Sequence, residues 1–203
     1  MKKQNIFLTF VIPIIAVISL LAIQALCDLE LPSYTSDIIN NGIQQGGIDR
    51  GLPEALTVDM FDAIVLISDE DPAIMASYDL YVTENLSSEE LERLSEDYPL
   101  LKEENLYLLN NLTEEEKDIV EEKIQMPLII ATMLYSNNES LMNMLNLEVP
   151  EGSTLLDVVL SMDDNTFDMI TTSIKDSLES LDVSILDGYA ISSVNTIYNE
   201  IGM

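Results

Sequence analysis

From Gln4 to Cys27 the chain carries no charged side chain. As a helix rising about 1.5 Å per residue, that stretch reaches roughly 36 Å, enough to cross a hydrocarbon core of about 30 Å. A helix suits the bilayer because it satisfies its own backbone hydrogen bonds there, and Pro13 interrupts only one of them near the start. The apolar run Ile6 to Leu26 therefore predicts one transmembrane helix. Lys2 and Lys3 precede it, and Asp28 and Glu30 follow. Basic flanks stay on the cytoplasmic side, which puts the amino terminus inside and everything after about residue 28 outside. A cleaved signal peptide fits less well: the apolar core is longer than the usual span of about 7–15 residues. Ala25-Leu26-Cys27 lacks the final small residue of a cleavage site, and Leu26 is bulky where lipid attachment at Cys27 would need a small neighbour.

The outer part is acidic. Of 8 basic residues two precede the span, leaving six against all 37 acids. Like-charge repulsion at that density opposes compaction and keeps the surface soluble. It also excludes nucleic acid, whose phosphates need basic partners. Cations, basic peptides and divalent metals are the visitors such a surface attracts, though like charges usually only face water. Leu, Ile, Val and Met still recur throughout, enough for one ordinary core. Cys27 is the single cysteine, so no intrachain disulfide forms, and the chain has no His and no Trp.

The first helix need not stop at the membrane surface. Apolar residues continue through Leu29 to Ile43, with a bend expected at Pro32 and a C-terminal stop at Gly42 or Gly46-Gly47. The stretch Leu31-Pro-Ser-Tyr-Thr-Ser-Asp-Ile-Ile-Asn-Asn-Gly-Ile43, directly after Ile23-Gln-Ala-Leu-Cys-Asp-Leu-Glu30, resembles the outer half of the first transmembrane helix of ABC exporters. The likeness covers roughly residues 5–48 and is particularly to multidrug-type subunits, some of which carry a large outer insertion before their second helix. It implies a membrane domain with further transmembrane helices, a nucleotide-binding domain using ATP and Mg, and a second exporter half, none of which this sequence contains. No G-x-x-x-x-G-K-[ST] loop is present, so the chain by itself is expected to need no cofactor and to catalyse no reaction. Under the resemblance Gln24 and Asp28, one turn apart, with Thr35 near the same face, line a translocation path. The plainer alternative is that Asp28 marks the outer interface and Gln24 bonds a neighbouring helix.

Gly46, Gly47, Gly51 and Pro53 read as a linker. Helix signals then repeat in a mainly α outer segment. Thr57 caps a segment holding Phe61, Ile64, Val65 and Ile67, and Asp71-Pro72 opens another. Ser87-Ser-Glu-Glu90 and Thr113-Glu-Glu-Glu116 are capping boxes. Asn105 to Leu109 is either a short strand or a buried turn. Pro127 predicts a fresh helix over 128–135. Asn138 caps 140–146, Ser153 or Thr154 caps a segment through Leu160, and Asp164 or Asn165 begins 167–178. Ser184 starts the clearest amphipathic helix, with Leu186, Tyr189, Val194, Ile197 and Ile201 at three- and four-residue steps. The expected organisation is 1–47 as span and extension, 48–183 as outer insertion, and 184–203 as a helix returning toward the membrane beside Tyr34 to Ile43.

Candidate chemistry is sparse. Lack of His removes nucleophile–His catalysis. Asp69-Glu70-Asp71 and Asp163-Asp164-Asn165 offer oxygen ligands for Ca²⁺ but lack the EF-hand continuation, and read better as helix caps. Asn85-Leu-Ser, Asn111-Leu-Thr and Asn138-Glu-Ser match the glycosylation sequon. Met142, Met144, Met162 and Met169 read as core filler. Two function classes follow: a membrane-domain fragment of an exporter whose insertion acts as gate, lid or docking domain, and a single-pass anchored acidic domain that binds a cationic ligand or a surface protein. Either is embedded in membrane lipid.

Overall fold

In a computed structural model the chain divides into two units, residues 1–47 and 48–203. The structure describes residue 48 and residues 50–203, apart from 138 and the side chain of 140. The expected span, its extension to Ile43, and Gln24, Asp28 and Thr35 lie outside the described residues. Among the described residues no helix is long and apolar enough to cross a membrane.

The described body is mainly helical. In chain order it runs β1 (Ala55–Thr57), α1 (Val58–Ile67), α2 (Pro72–Ser77), β2 (Tyr78–Tyr81), α3 (Ser88–Asp97), β3 (Leu106–Leu109) and α4 (Glu114–Tyr135). It continues through α5 (Glu139–Leu145), α6 (Leu155–Leu160), α7 (Asp164–Glu179) and α8 (Val183–Ile201), with 3-10 turns at Thr83–Asn85 and Pro99–Lys102. The strands form one antiparallel sheet in the order β1-β3-β2, with Leu56 and Leu80 flanking Tyr107. Phe61 of α1 stacks on Tyr107 at 3.8 Å between ring centroids and tilts against Tyr78 at 5.6 Å, which seats α1 on one face of the sheet.

Most helix starts follow the caps. Thr57 accepts from Met60 N, and Asp71 accepts from Ala73 N with Pro72 at the first helical position. Ser87 and Thr113 make complete capping boxes with Glu90 and Glu116, and Thr154 makes a third with Asp157. Asp163, one residue earlier than expected, caps α7 through Thr166 N. The last helix begins at Val183 rather than Ser184, and Asp182 in the cap position makes no side-chain bond there. Asn138 lies outside the described residues.

Helix α4 is the axis of the body, and it corrects the expectation of a fresh helix at Pro127. It runs unbroken from Glu114 to Tyr135 with Pro127 inside it. An interior proline costs a helix about 3 kcal/mol. Ile124, Leu128, Ile129, Ile130 and Leu134 are all essentially inaccessible, and burying each such side chain contributes about 1.5–3 kcal/mol. Burial therefore outweighs the lost bond. Helix α8 lies against α4 in the same direction: Gln125 Nε2 donates to Asp187 at 2.7 Å, Thr132 and Ser193 share a buried 2.6 Å hydroxyl bond, and Tyr135 donates to Glu200. That last bond pushes the Tyr135 phenol up to about 12. Ala190, Val194, Ile197 and Ile201 are buried, Leu186 is half-buried, and Tyr189 is exposed.

The supposed linker is partly core. Gly51, Leu52 and Pro53 are buried. Gly51 N donates to Glu121 Oε1 at 2.7 Å, Glu54 N to the Tyr198 hydroxyl at 2.9 Å, and the buried Tyr78 hydroxyl to Pro53 O at 2.8 Å. Contacts with Ala190 and then Tyr198 make this leading segment run alongside α8 in the same sense. The methionines need correction too. Met142 and Met162 are half-buried against the core, but Met144 and Met169 are 56% and 74% exposed, because they fall on the outer faces of α5 and α7.

Candidate functional site

A cleft of about 640 Å³ lies at one end of the sheet. Antiparallel pairing brings three chain segments there: residues after β1 (Val58, Asp59), residues after β2 (Val82, Thr83, Glu84) and residues before β3 (Glu103, Glu104, Asn105). Two polar side chains lock the rim. Thr83 N donates to Asn105 Oδ1 at 3.0 Å, and the Thr83 hydroxyl lies 2.9 Å from Leu101 O and 3.1 Å from Glu104 O. Thr57 in the wall is engaged in capping α1. Four carboxylates line the cleft and no basic residue does. Such a surface attracts cations; it offers no nucleophile or base paired with a partner for covalent chemistry.

Arg50, Lys117, Lys123 and Lys175 each pair with at least one acid. Glu114, Asp118 and Glu121 recur at four- and three-residue steps on one face of α4, and Arg50 reaches all three at 2.8, 2.8 and 3.3 Å. The Asp118 hydrogen bond raises the Arg50 pKa above its ordinary value, reinforced by the charges of Glu114 and Glu121. This clamp was missed in the sequence; the acid spacing on a capped helix was its only visible sign. Lys123 of α4 pairs with Asp71 at 2.7 Å. That hydrogen bond, with the one from Ala73 N, holds the Asp71 carboxyl below its ordinary value.

The proposed calcium ligands have other employment. Asp69 and Glu70 both have positive φ, 54° and 56°. Asp69 N donates to Leu66 O and Glu70 N to Val65 O, the bond pair that closes a helix end with a left-handed residue. Asp71 then caps α2, and Asp163 caps α7. Among the described residues no group of three or more acidic, His or Cys side chains could hold a metal ion. The sequons at Asn85 and Asn111 have the same origin: their third residues, Ser87 and Thr113, are the cap hydroxyls of α3 and α4. An asparagine two residues before a Ser or Thr cap matches the motif by that placement alone.

No family model, curated protein or solved structure matches the chain.

Proposed function

We propose that this chain is the amino-terminal part of the membrane domain of an ABC exporter, with residues 48–203 forming an extracytoplasmic insertion that serves as gate, lid or docking domain. The observation that carries the reading is the motif Leu31-Pro-Ser-Tyr-Thr-Ser-Asp-Ile-Ile-Asn-Asn-Gly-Ile43 directly after an uncharged stretch long enough to span a bilayer. An acidic body with a core of its own supports it, since an insertion of this size must fold without help from the helices around it. In this reading Gln24, Asp28 and Thr35 line the translocation path, ATP and Mg belong to the nucleotide-binding domain, and the second half is another exporter subunit.

The test is the coding sequence in frame beyond Met203. Five more apolar spans and a phosphate-binding loop are expected; a stop codon with no exporter gene beside it would overturn the proposal.

The acidic cleft favours a second reading, a single-pass anchored domain that binds a cationic ligand or surface protein. It needs no further sequence, but leaves the exporter-like motif without a role.

A further inference from the structure

A smaller hollow, about 210 Å³, lies where the turn between α1 and α2 meets α4 and α7. It is the one place among the described cavities where two lysines converge, Lys123 and Lys175, in a chain with only 8 basic residues. Asp69 and Asp71 line it as well, and Ile67, Met126 and Ile130 supply apolar wall. We propose that this hollow binds a small apolar α-amino acid as its zwitterion, the carboxylate on Lys175 and the ammonium on Asp69.

The charges present determine the ligand class. Asp71 is already occupied: it accepts from Lys123 Nζ at 2.7 Å and from Ala73 N at 2.8 Å. Lys175 meets its carboxylate partner Glu179 only at 4.0 Å, the outer limit of an ion pair, so its ammonium keeps donors to spare. The Asp69 side chain accepts no hydrogen bond and makes no ion pair among the described residues. What remains open is one ammonium and one carboxylate. A simple anion would be repelled by Asp69, and a simple cation by Lys175. A zwitterion satisfies both, and the apolar wall takes its side chain.

Size and rigidity agree. The volume is below the roughly 300–1,000 Å³ of sites for drug-sized ligands, so the occupant is small. The Asp69 backbone is held by the helix-end bonds at 3.2 and 2.9 Å through its own and Glu70's amides, and Lys123 is engaged by Asp71. The inference does not depend on the exporter reading.

Titration calorimetry on the full chain in detergent tests it with three probes: L-valine, isovalerate (valine without the amine) and isobutylamine (valine without the carboxylate). Valine is expected to bind saturably, and each analogue at least tenfold more weakly. Lys175→Ala and Asp69→Asn should each weaken valine binding about tenfold. Both sites are at the surface and Asn tolerates the left-handed conformation, so an unchanged circular dichroism spectrum would confirm that the variants fold. Equal binding of valine and isovalerate, valine binding unaltered in both variants, or no saturable valine binding by the folded protein would overturn the proposal.

Discussion

Gly51 lies so close to Ala190 that a β-carbon at position 51 would sit 2.8 Å from that of Ala190. Ala190 is fully buried on α8 and its methyl has no freedom to swing aside. The contact fixes the start of the body against its last helix, and the absence of a side chain at Gly51 is what allows it. Gly51→Ala is therefore expected to destabilise by about 1–3 kcal/mol, the range for overpacking a core. In urea unfolding, adding Ala190→Gly should recover part of that loss; strictly additive effects would contradict direct contact.

The Thr132–Ser193 pair makes a second, asymmetric expectation. Thr132 Oγ1 also lies 2.8 Å from Leu128 O and 3.1 Å from Ile129 O, so it keeps partners when Ser193 is removed. Ser193→Ala should cost about 1 kcal/mol, within the range for one hydrogen bond. Thr132→Val leaves the Ser193 hydroxyl buried without that partner and should cost about 1–3 kcal/mol. The double variant should be more stable than Thr132→Val alone, as read from unfolding midpoints.

Much of this body was legible because its helices announce themselves chemically. Thr57, Asp71, Ser87, Thr113 and Thr154 cap the helices as their residue types suggest. The strands were less so: Asn105 to Leu109, open between a strand and a turn, holds β3, but β1 is Ala-Leu-Thr, buried at every position, and three residues show no alternation to read. Pro127 misled because the local cost of a proline is visible in sequence, while the burial that outweighs it is set by α1, α6 and α8. The clamp on Arg50 and the acidic cleft join residues far apart in the chain, and no local pattern carries them. Gln24, Asp28 and Thr35 rest on the resemblance alone.

Acid should weaken the fold through Asp71. Its folded pKa lies below the ordinary 3.8, chiefly through Lys123 and then the Ala73 amide. Its contribution is thus complete above the unfolded value and lost as pH falls through the folded one. Asp71→Asn should flatten the fall of stability on acidification below about pH 4, where carboxylates of ordinary pKa begin to protonate. An identical pH profile in the variant would show that the pair contributes nothing.

Arg50→Ala should place Glu114, Asp118 and Glu121 together without their cation. The guanidinium is 31% exposed on its side-chain surface. Partly exposed pairs of this kind contribute about 0–1 kcal/mol each, so a total loss of about 1–2 kcal/mol is expected. Because salt screens the remaining repulsion, the deficit should shrink as sodium chloride is raised. A deficit independent of salt would assign the loss to packing.

The central claim is that the body stands outside a membrane crossed by residues 6–26. In a Cys27→Ser background, Glu151→Cys places one thiol on an exposed turn of the body, and Lys3→Cys places one ahead of the span. Intact cells treated with a membrane-impermeant maleimide should label position 151 directly and position 3 only after permeabilisation. Protection of position 151 in intact cells, or recovery of the protein without the membrane fraction, would contradict the account.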